Sequence, residues 1–392
     1  MNILVRYCVV SSGVGFIMLS SYRVEAHWTV LSDRLQLTPI IQTVVQQSDN
    51  VFHVPEKTHS DLVTAIRPKL LSEAALTDTL FCSLEYTGDF RHYWNFDNLD
   101  SIRHKGELQI KMTTPRGSKF AIGTRYYDST IQAFSQKGDN RDYVEREVYF
   151  DSLFTTGSWT EAGLRFESSY RDFDDDHWRT DDYDRYAVKG YVAYKRLPFT
   201  SFIGEYNFSH QENDDFAGGP LEIDAHSILF GPEWQAGKRL SGKLLGGYSW
   251  ISGNTLSDSS SFSFLANLHY KFSPFTSFNL DGFHAYNTST SANRETNIYN
   301  VSKGGTFTID YTRWKPFHVI AVLEYKNQEF KGEGESIVSR TDDFYKASLR
   351  IQYPLRNWLL LEAKYALNKK DSDLSSVEYR ENVGALNLTF SF

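Results

Sequence analysis

Along most of this chain, large apolar and polar residues alternate with a period of two. Over 359–368, Leu359, Leu361, Ala363, Tyr365 and Leu367 fall on one side, with Glu362, Lys364 and Asn368 on the other. Over 345–353, Tyr345, Ala347, Leu349, Ile351 and Tyr353 oppose Lys346, Ser348, Arg350 and Gln352. Over 262–272, Phe262, Phe264, Ala266, Leu268, Tyr270 and Phe272 oppose Ser263, Asn267, His269 and Lys271. Alternation of this kind predicts strands with one apolar and one polar face. After the first two dozen residues, nothing approaches the roughly 18 consecutive apolar residues of a membrane-spanning helix.

The connections alternate in length as well. Short turns rich in Pro and Gly fall at Thr114-Pro115-Arg116-Gly117, Leu197-Pro198-Phe199, Ala236-Gly237-Lys238, Ser273-Pro274-Phe275 and Lys315-Pro316-Phe317. Longer polar connections fall between them, among them Asp49 to Ser60, Asp89 to Asp100, Asp172 to Asp184, Gly253 to Ser260 and Lys331 to Thr341. Short turns on one side and long loops on the other are the pattern of a transmembrane β-barrel, with periplasmic turns and extracellular loops. The expected fold is therefore all-β: one antiparallel up-and-down barrel of about eighteen strands, sixteen being the alternative count, running from near Arg34 to Phe392. None of the connections is long enough to be expected to fold across the lumen.

Soluble sandwiches and propellers also alternate. Two features favour the membrane. The polar face often carries charge where a soluble core would be apolar, and Tyr and Trp gather at strand ends, as interfacial girdles require. Lipid solvates an apolar outer face, and closure of the barrel satisfies every edge hydrogen bond.

At the amino terminus, Arg6 precedes an apolar run from Tyr7 to Leu19, followed by Val24-Glu25-Ala26. This reads as a secretory signal peptide at 1–26, leaving 27–392 as the barrel. With Cys8 in that leader, Cys82 alone remains and no intrachain disulfide is expected. Lys and Arg number 41 against 49 Asp and Glu, a net charge of −8, which offers nucleic acid no basic surface. The expected location is the outer membrane. The expected partners are outer-membrane lipid and lipopolysaccharide, the barrel-assembly machinery, and proteins of polysaccharide synthesis and export.

Extending the alternation assigns Glu107, Lys111, Arg125, Glu145, Glu147, Asp151, Arg165, Glu167, Lys189, Glu205, Lys243, Asp310, Glu324, Lys326, Lys346, Arg350, Glu362 and Lys364 to the lumen. So many charges do not fit a dry core; an eighteen-strand barrel is wide enough for an aqueous channel. The same charges could instead pair into ladders that stiffen the wall. Tyr127, Tyr143, Tyr149, Tyr191 and Asn207 fall on the same face, where aromatic rings and amides would suit a carbohydrate track. The closing stretch places Leu386, Leu388, Phe390 and Phe392 toward lipid and reads as an assembly signal.

The chain contains no G-x-S-x-G, H-E-x-x-H or C-x-x-C motif and no Gly-rich phosphate loop. Its eleven His residues are scattered, and the acidic stretch at 171–184 lacks the Gly and closing Glu of an EF-hand. No catalysis, cofactor or metal is expected.

Several stretches resemble a known family. The opening from Gln36 to Leu70, with Ser48-Asp49-Asn50-Val51 and Arg67-Pro68, is similar to the start of the β-barrel porins associated with exopolysaccharide and exosortase gene clusters. So are Gly231-Pro232-Glu233-Trp234 with Gly246-Gly247-Tyr248 in the middle, and Asp342 to Tyr353, Trp358 to Tyr365, Asp371-Ser372-Asp373, Tyr379 and Asn382 near the end. The resemblance implies an outer-membrane barrel that passes polysaccharide or serves as a porin. The expected function is a channel taking part in exopolysaccharide export; the alternatives are a diffusion or sugar-uptake porin, and a closed structural or adhesion barrel acting through its loops.

Overall fold

The computed structural model describes residues 28–29, 34–131, 140–157, 159–175, 181–213, 220–254, 256–288, 299–331 and 340–392. The leader at 1–26 lies outside the described residues. A two-residue strand β1 (Trp28–Thr29) is followed by β2 (Leu35–Ser48), β3 (Asp61–Ala75), β4 (Leu80–Tyr93), β5 (Ser101–Thr113), β6 (Lys119–Ile131), β7 (Arg141–Thr155), β8 (Thr160–Phe173) and β9 (Tyr183–Leu197). Then come β10 (Thr200–Asn213), β11 (Leu221–Ala236), β12 (Leu240–Gly253), β13 (Leu256–Ser273), β14 (Thr276–Thr288), β15 (Tyr299–Tyr311), β16 (His318–Lys331), β17 (Arg340–Arg356), β18 (Leu359–Ser372) and β19 (Tyr379–Ser391).

From β2 onward each strand pairs antiparallel with the next, and β19 returns to pair with β2 from Val383↔Ser48 to Ser391↔Ile40. The result is a closed eighteen-strand barrel, with β1 as a short addition on β2. Closure matters because unpaired backbone groups facing lipid cost several kcal/mol each. The backbone N–H of Phe392 donates to the carbonyl of Pro39 at 3.1 Å, so the pairing reaches the last residue.

The alternation sorts into two faces. Ile110, Ile122, Phe150 and Phe166 lie side by side on β5 to β8, all exposed, and form part of an outward apolar band. The row one residue along, Lys111, Ala121, Asp151, Arg165 and Lys189, points inward. Short turns join the strands at one end; Gly117 (φ 85°) and Gly237 (φ 67°) occupy left-handed positions there that favour glycine. Strands β2 to β19 run from 13 to 18 residues, more than the 9–11 that cross a bilayer. The walls therefore stand clear of the membrane.

Three features depart from the sequence reading. Gly253 to Ser260, read as a loop, is mostly strand: its Ser-rich composition hides the alternation, yet β12 and β13 pair up to Gly253↔Leu256. Next, the connection after β2 packs inward. Val51 and Phe52, with Leu99 from the connection after β4, are buried against Val63 and Tyr93, which sit on the inner face, because apolar residues in these connections find cover only over the mouth.

The third departure is a parted seam. β13 and β14 pair only as far as Phe264↔His284, while β14 and β15 stay paired to Thr288↔Tyr299. Beyond the parting, Tyr286, Tyr299 and Val301 from the outward face of β14 and β15 pack on Leu221, Ile223 and Ile251 from the inward face of β11 and β12. The hydroxyls of Ser259 and Tyr286 meet at 3.0 Å across the overlap. The extracellular mouth is thus narrowed by two inward elements.

A lysine at Ile228, which is outward and 52% exposed at the middle of β11, should cost about 2–4 kcal/mol of folding free energy in lipid vesicles. Ser227→Lys, on the inner face beside it, should cost far less. Urea unfolding in vesicles measures both; equal costs would contradict the assigned faces.

Candidate functional site: the pore lining

The inner wall of β5 to β9 is a lattice of guanidinium and carboxylate groups. Arg125 lies between Glu107 at 3.3 Å and Glu147 at 2.5 Å. Arg165 reaches Glu167 at 2.9 Å, Asp151 at 3.6 Å and Glu147 at 3.8 Å. Higher up, Arg171 meets Glu145 at 2.6 Å. Alternation makes this possible: residues at i and i+2 share a face and meet those of neighbouring strands in register, as with Arg125↔Glu147↔Ser169. The tyrosines belong to the same lattice. The Tyr149 ring lies flat over Gly123, where a Cβ would come within 2.5 Å of it. It is covered by Arg125 and Arg165 at 4.4 and 5.3 Å, and its hydroxyl donates to Glu107 at 2.8 Å. Tyr143 and Tyr183 both hold Arg171 over their rings, at 4.6 and 4.8 Å. These cation–π contacts occupy ring faces that a carbohydrate track would need, so Tyr143 and Tyr149 serve the wall.

Further round, Glu205 is clasped by Lys189 at 3.0 Å and by Lys243. Asp310 faces His318 at 2.9 Å. Glu362 accepts from Gln352 and Asn387, each at 2.8 Å, and lies 3.5 Å from Arg350. Glu324 and Lys346 stand 3.8 Å apart. Lys111 and Lys326 lie on the inner face, and so does Lys364, opposite Arg350 in register. Inner-face charges near the start of the chain were missed: Arg67 and Arg91 share Asp89 at 3.0 and 2.7 Å, and Lys69 meets Glu85 at 2.8 Å. Val63 and Ala65 put apolar residues on the inner face of β3, and Asp89 to Asp100 reads as a loop although β4 continues to Tyr93. The signal was available in Leu84, Tyr86 and Phe90, which are exposed and fix the parity of β4.

The wall from β11 to β15 is more sparsely charged, with Lys243, Asp281 and Asp310 set among hydroxyls and amides. It presents Ser227, Ser249, Ser263, Asn279 and Thr308, with Asn267 donating to Asp281 at 2.7 Å. It also holds an inward apolar cluster that alternation alone would have sent to lipid: Leu245, fully buried, with Ala193, Ile203, Leu229 and Leu265. Strands β11 and β12 approach closely here, since a Cβ on Gly231 would run into the Leu244 carbonyl and one on Gly247 into that of Ile228.

Outside the membrane, the acidic connection after β8 engages protein groups. The side chain of Asp182 accepts the Phe173 N–H at 2.7 Å, and Asp181 lies 4.0 Å from Arg141. Burial pushes the Asp181 carboxyl up to about 6, against the pull of Arg141. Among the described residues no group of three His, Cys, Asp or Glu side chains is placed to hold a metal. At the carboxyl end, Leu386 is strongly exposed on the outer face, and Leu388 and Phe390 share its parity, paired with Leu361 and Leu359. Phe390 stacks between Trp358 and Phe392, at 6.2 and 6.5 Å.

A closed eighteen-strand barrel with an apolar exterior and a charged interior defines an outer-membrane, porin-like channel. Residues 36–392 match the model of the family described as "Putative beta-barrel porin 2", and the chain belongs to that family. Among solved structures it is similar to the FrpB iron transporter of Neisseria meningitidis, with 9% identity and TM-score 0.55 over 87% of this chain and 62% of that one. It is also similar to a BenF-like porin from Pseudomonas fluorescens Pf-5, with 9% identity and TM-score 0.51 over 91% and 99%. A bacterial polysaccharide outer membrane secretin aligns at 8% identity and TM-score 0.41 over 90% and 98%. At such identities the likeness is one of fold. No curated protein matches the chain.

Two outcomes follow. Arg125→Ala strands Glu107 and Glu147 in a half-buried wall, and should lower unfolding free energy in vesicles by about 3–5 kcal/mol; adding Glu147→Ala should recover part of it. A double change as costly as the sum of the singles would contradict the coupling. For Asp181, the raised carboxyl is protonated in the fold where the unfolded chain would be ionised. Its contribution is full below the ordinary carboxylate range and lost as pH rises through about 6. Asp181→Asn should therefore flatten the pH dependence of stability between pH 4 and 7 (rough bounds around that shift), and an unchanged profile would contradict this.

Proposed function

We propose that this porin-like barrel passes hydroxyl-rich saccharide across the outer membrane, in the export of an exopolysaccharide. The observation that carries this reading is the two-sided lumen. A fixed, self-paired charged wall on β5 to β9 gives way to a sparsely charged wall rich in Ser, Asn and Thr on β11 to β15. Such a lining holds water and offers hydroxyl groups many weak partners without gripping any one strongly, which is what permeation needs. The sequence resemblance to barrels of exopolysaccharide clusters supports the outward direction. The reading assigns passage to the lumen and no reaction.

One observation favours the alternative of a sugar-uptake porin. The inward-packed connection after β2 and the overlapped end of β14 and β15 narrow the mouth, as a selective filter for small solutes would. Liposome swelling with neutral sugars of increasing size should show permeation up to oligosaccharides. Deletion of the gene should lower surface polysaccharide. Permeation of monosaccharides alone, with unchanged surface polysaccharide, would replace export by uptake, and no permeation at all would remove both.

A further inference from the structure

Along β5 to β8 the carboxylates are engaged by guanidinium groups; near the closing strands the balance fails. Lys326, Lys346, Arg350 and Lys364 share the inner face of β16 to β18 with Glu324 and Glu362. Glu362 is already engaged by Arg350, Gln352 and Asn387. Glu324 is 3.8 Å from Lys346, a loose contact between two substantially exposed side chains. Among the described residues no hydrogen bond or ion pair holds the Lys364 ammonium; Lys346, Arg350 and Arg67 lie near it as like charges, and the one carboxylate near it, Glu362, is the one already engaged.

Lys364 and Lys346 open into a cleft of about 230 Å³ where β2 to β4 meet β17 to β19. Arg91, Gln46 and Asn368 also line it, beneath His53 from the inward-packed connection. One carboxylate, Glu381, is present, but it is taken by Ser48 at 2.7 Å, Asn368 at 2.8 Å and His53 at 3.3 Å. Arg91 is likewise occupied by Asp89. The two lysines are thus the cations left for a guest.

We propose that this cleft is an anion subsite in the lumen that takes the carboxylate of a sugar acid, with Lys364 and Lys346 on the carboxylate and Gln46 on the ring hydroxyls. Three features carry it: an unpaired ammonium among like charges, a polar cleft at the small end of ligand-pocket size, and amides suited to hydroxyl groups. The size fits one sugar unit at a time, as a stepping site for an acidic chain requires. The inference deepens the saccharide-channel reading and rests on it for its role, though binding itself can be measured separately.

Titration calorimetry of the full chain in detergent tests it, with glucuronate, glucose and inorganic phosphate as probes. Glucuronate should bind and glucose should not. Lys364→Gln and Lys346→Gln should each weaken glucuronate tenfold or more, with Lys364→Arg retaining most of the affinity. Heat-modifiable migration on gels shows that each variant is folded. Absence of glucuronate binding to the natural protein, or undiminished binding by both Gln variants, would overturn the subsite. Phosphate matching glucuronate would overturn the sugar-acid assignment. Sugar permeation in the swelling assay without glucuronate binding would sink the subsite and leave the channel standing; binding without permeation would do the reverse.

Discussion

Everything in this molecule depends on one pairing, that of β19 with β2. A sheet of eighteen strands in lipid has two edges, and each edge is a row of backbone donors and acceptors that hydrocarbon does not satisfy. Bringing the last strand to the first removes both. The closure also sets the circumference, and with eighteen strands the interior is too wide for side chains to fill. Water enters, and charged residues can then line the inside.

The inner wall shows how a wet interior can still be rigid. Across β5 to β8 each of Arg125 and Arg165 is shared between carboxylates, and the Tyr149 ring is pinned between Arg125 and Gly123 of the neighbouring strand. Such partly buried pairs contribute little net stability; their effect is to fix positions, because losing one partner leaves the other stranded. The wall near the closing strands differs. There the cations outnumber their acids, and the connection after β2 leans over them. The lumen is therefore polarised in two ways, densely against sparsely charged and paired against unpaired.

Most of the fold was legible in the sequence because period-two alternation encodes face, and face in a barrel encodes lipid or water. Leu349 against Arg350 is enough to orient β17. The strand count, the short turns at Gly117 and Gly237 and the lipid-facing end at Leu386 follow from the same rule. Three things were hidden. Val63 and Ala65 are apolar on the inner face of β3, and the Ser-rich start of β13 lacks the contrast that alternation needs. Leu245 and its neighbours are apolar yet inward, which only the close approach of β11 and β12 reveals. The lumen residues could be named from parity, but not their pairings. Which lysine lacks an acid depends on register between strands distant in sequence, as with Lys364 beside Arg67.

The most direct test of the account is the reversal potential of single channels in a planar bilayer across a KCl gradient. The chain carries a net charge of −8, which by itself would favour potassium. The account instead holds that most inner acids are neutralised by their partners while Lys326 and Lys364 are not. It predicts a chloride-selective pore. A potassium-selective pore, or no current at all, would contradict it.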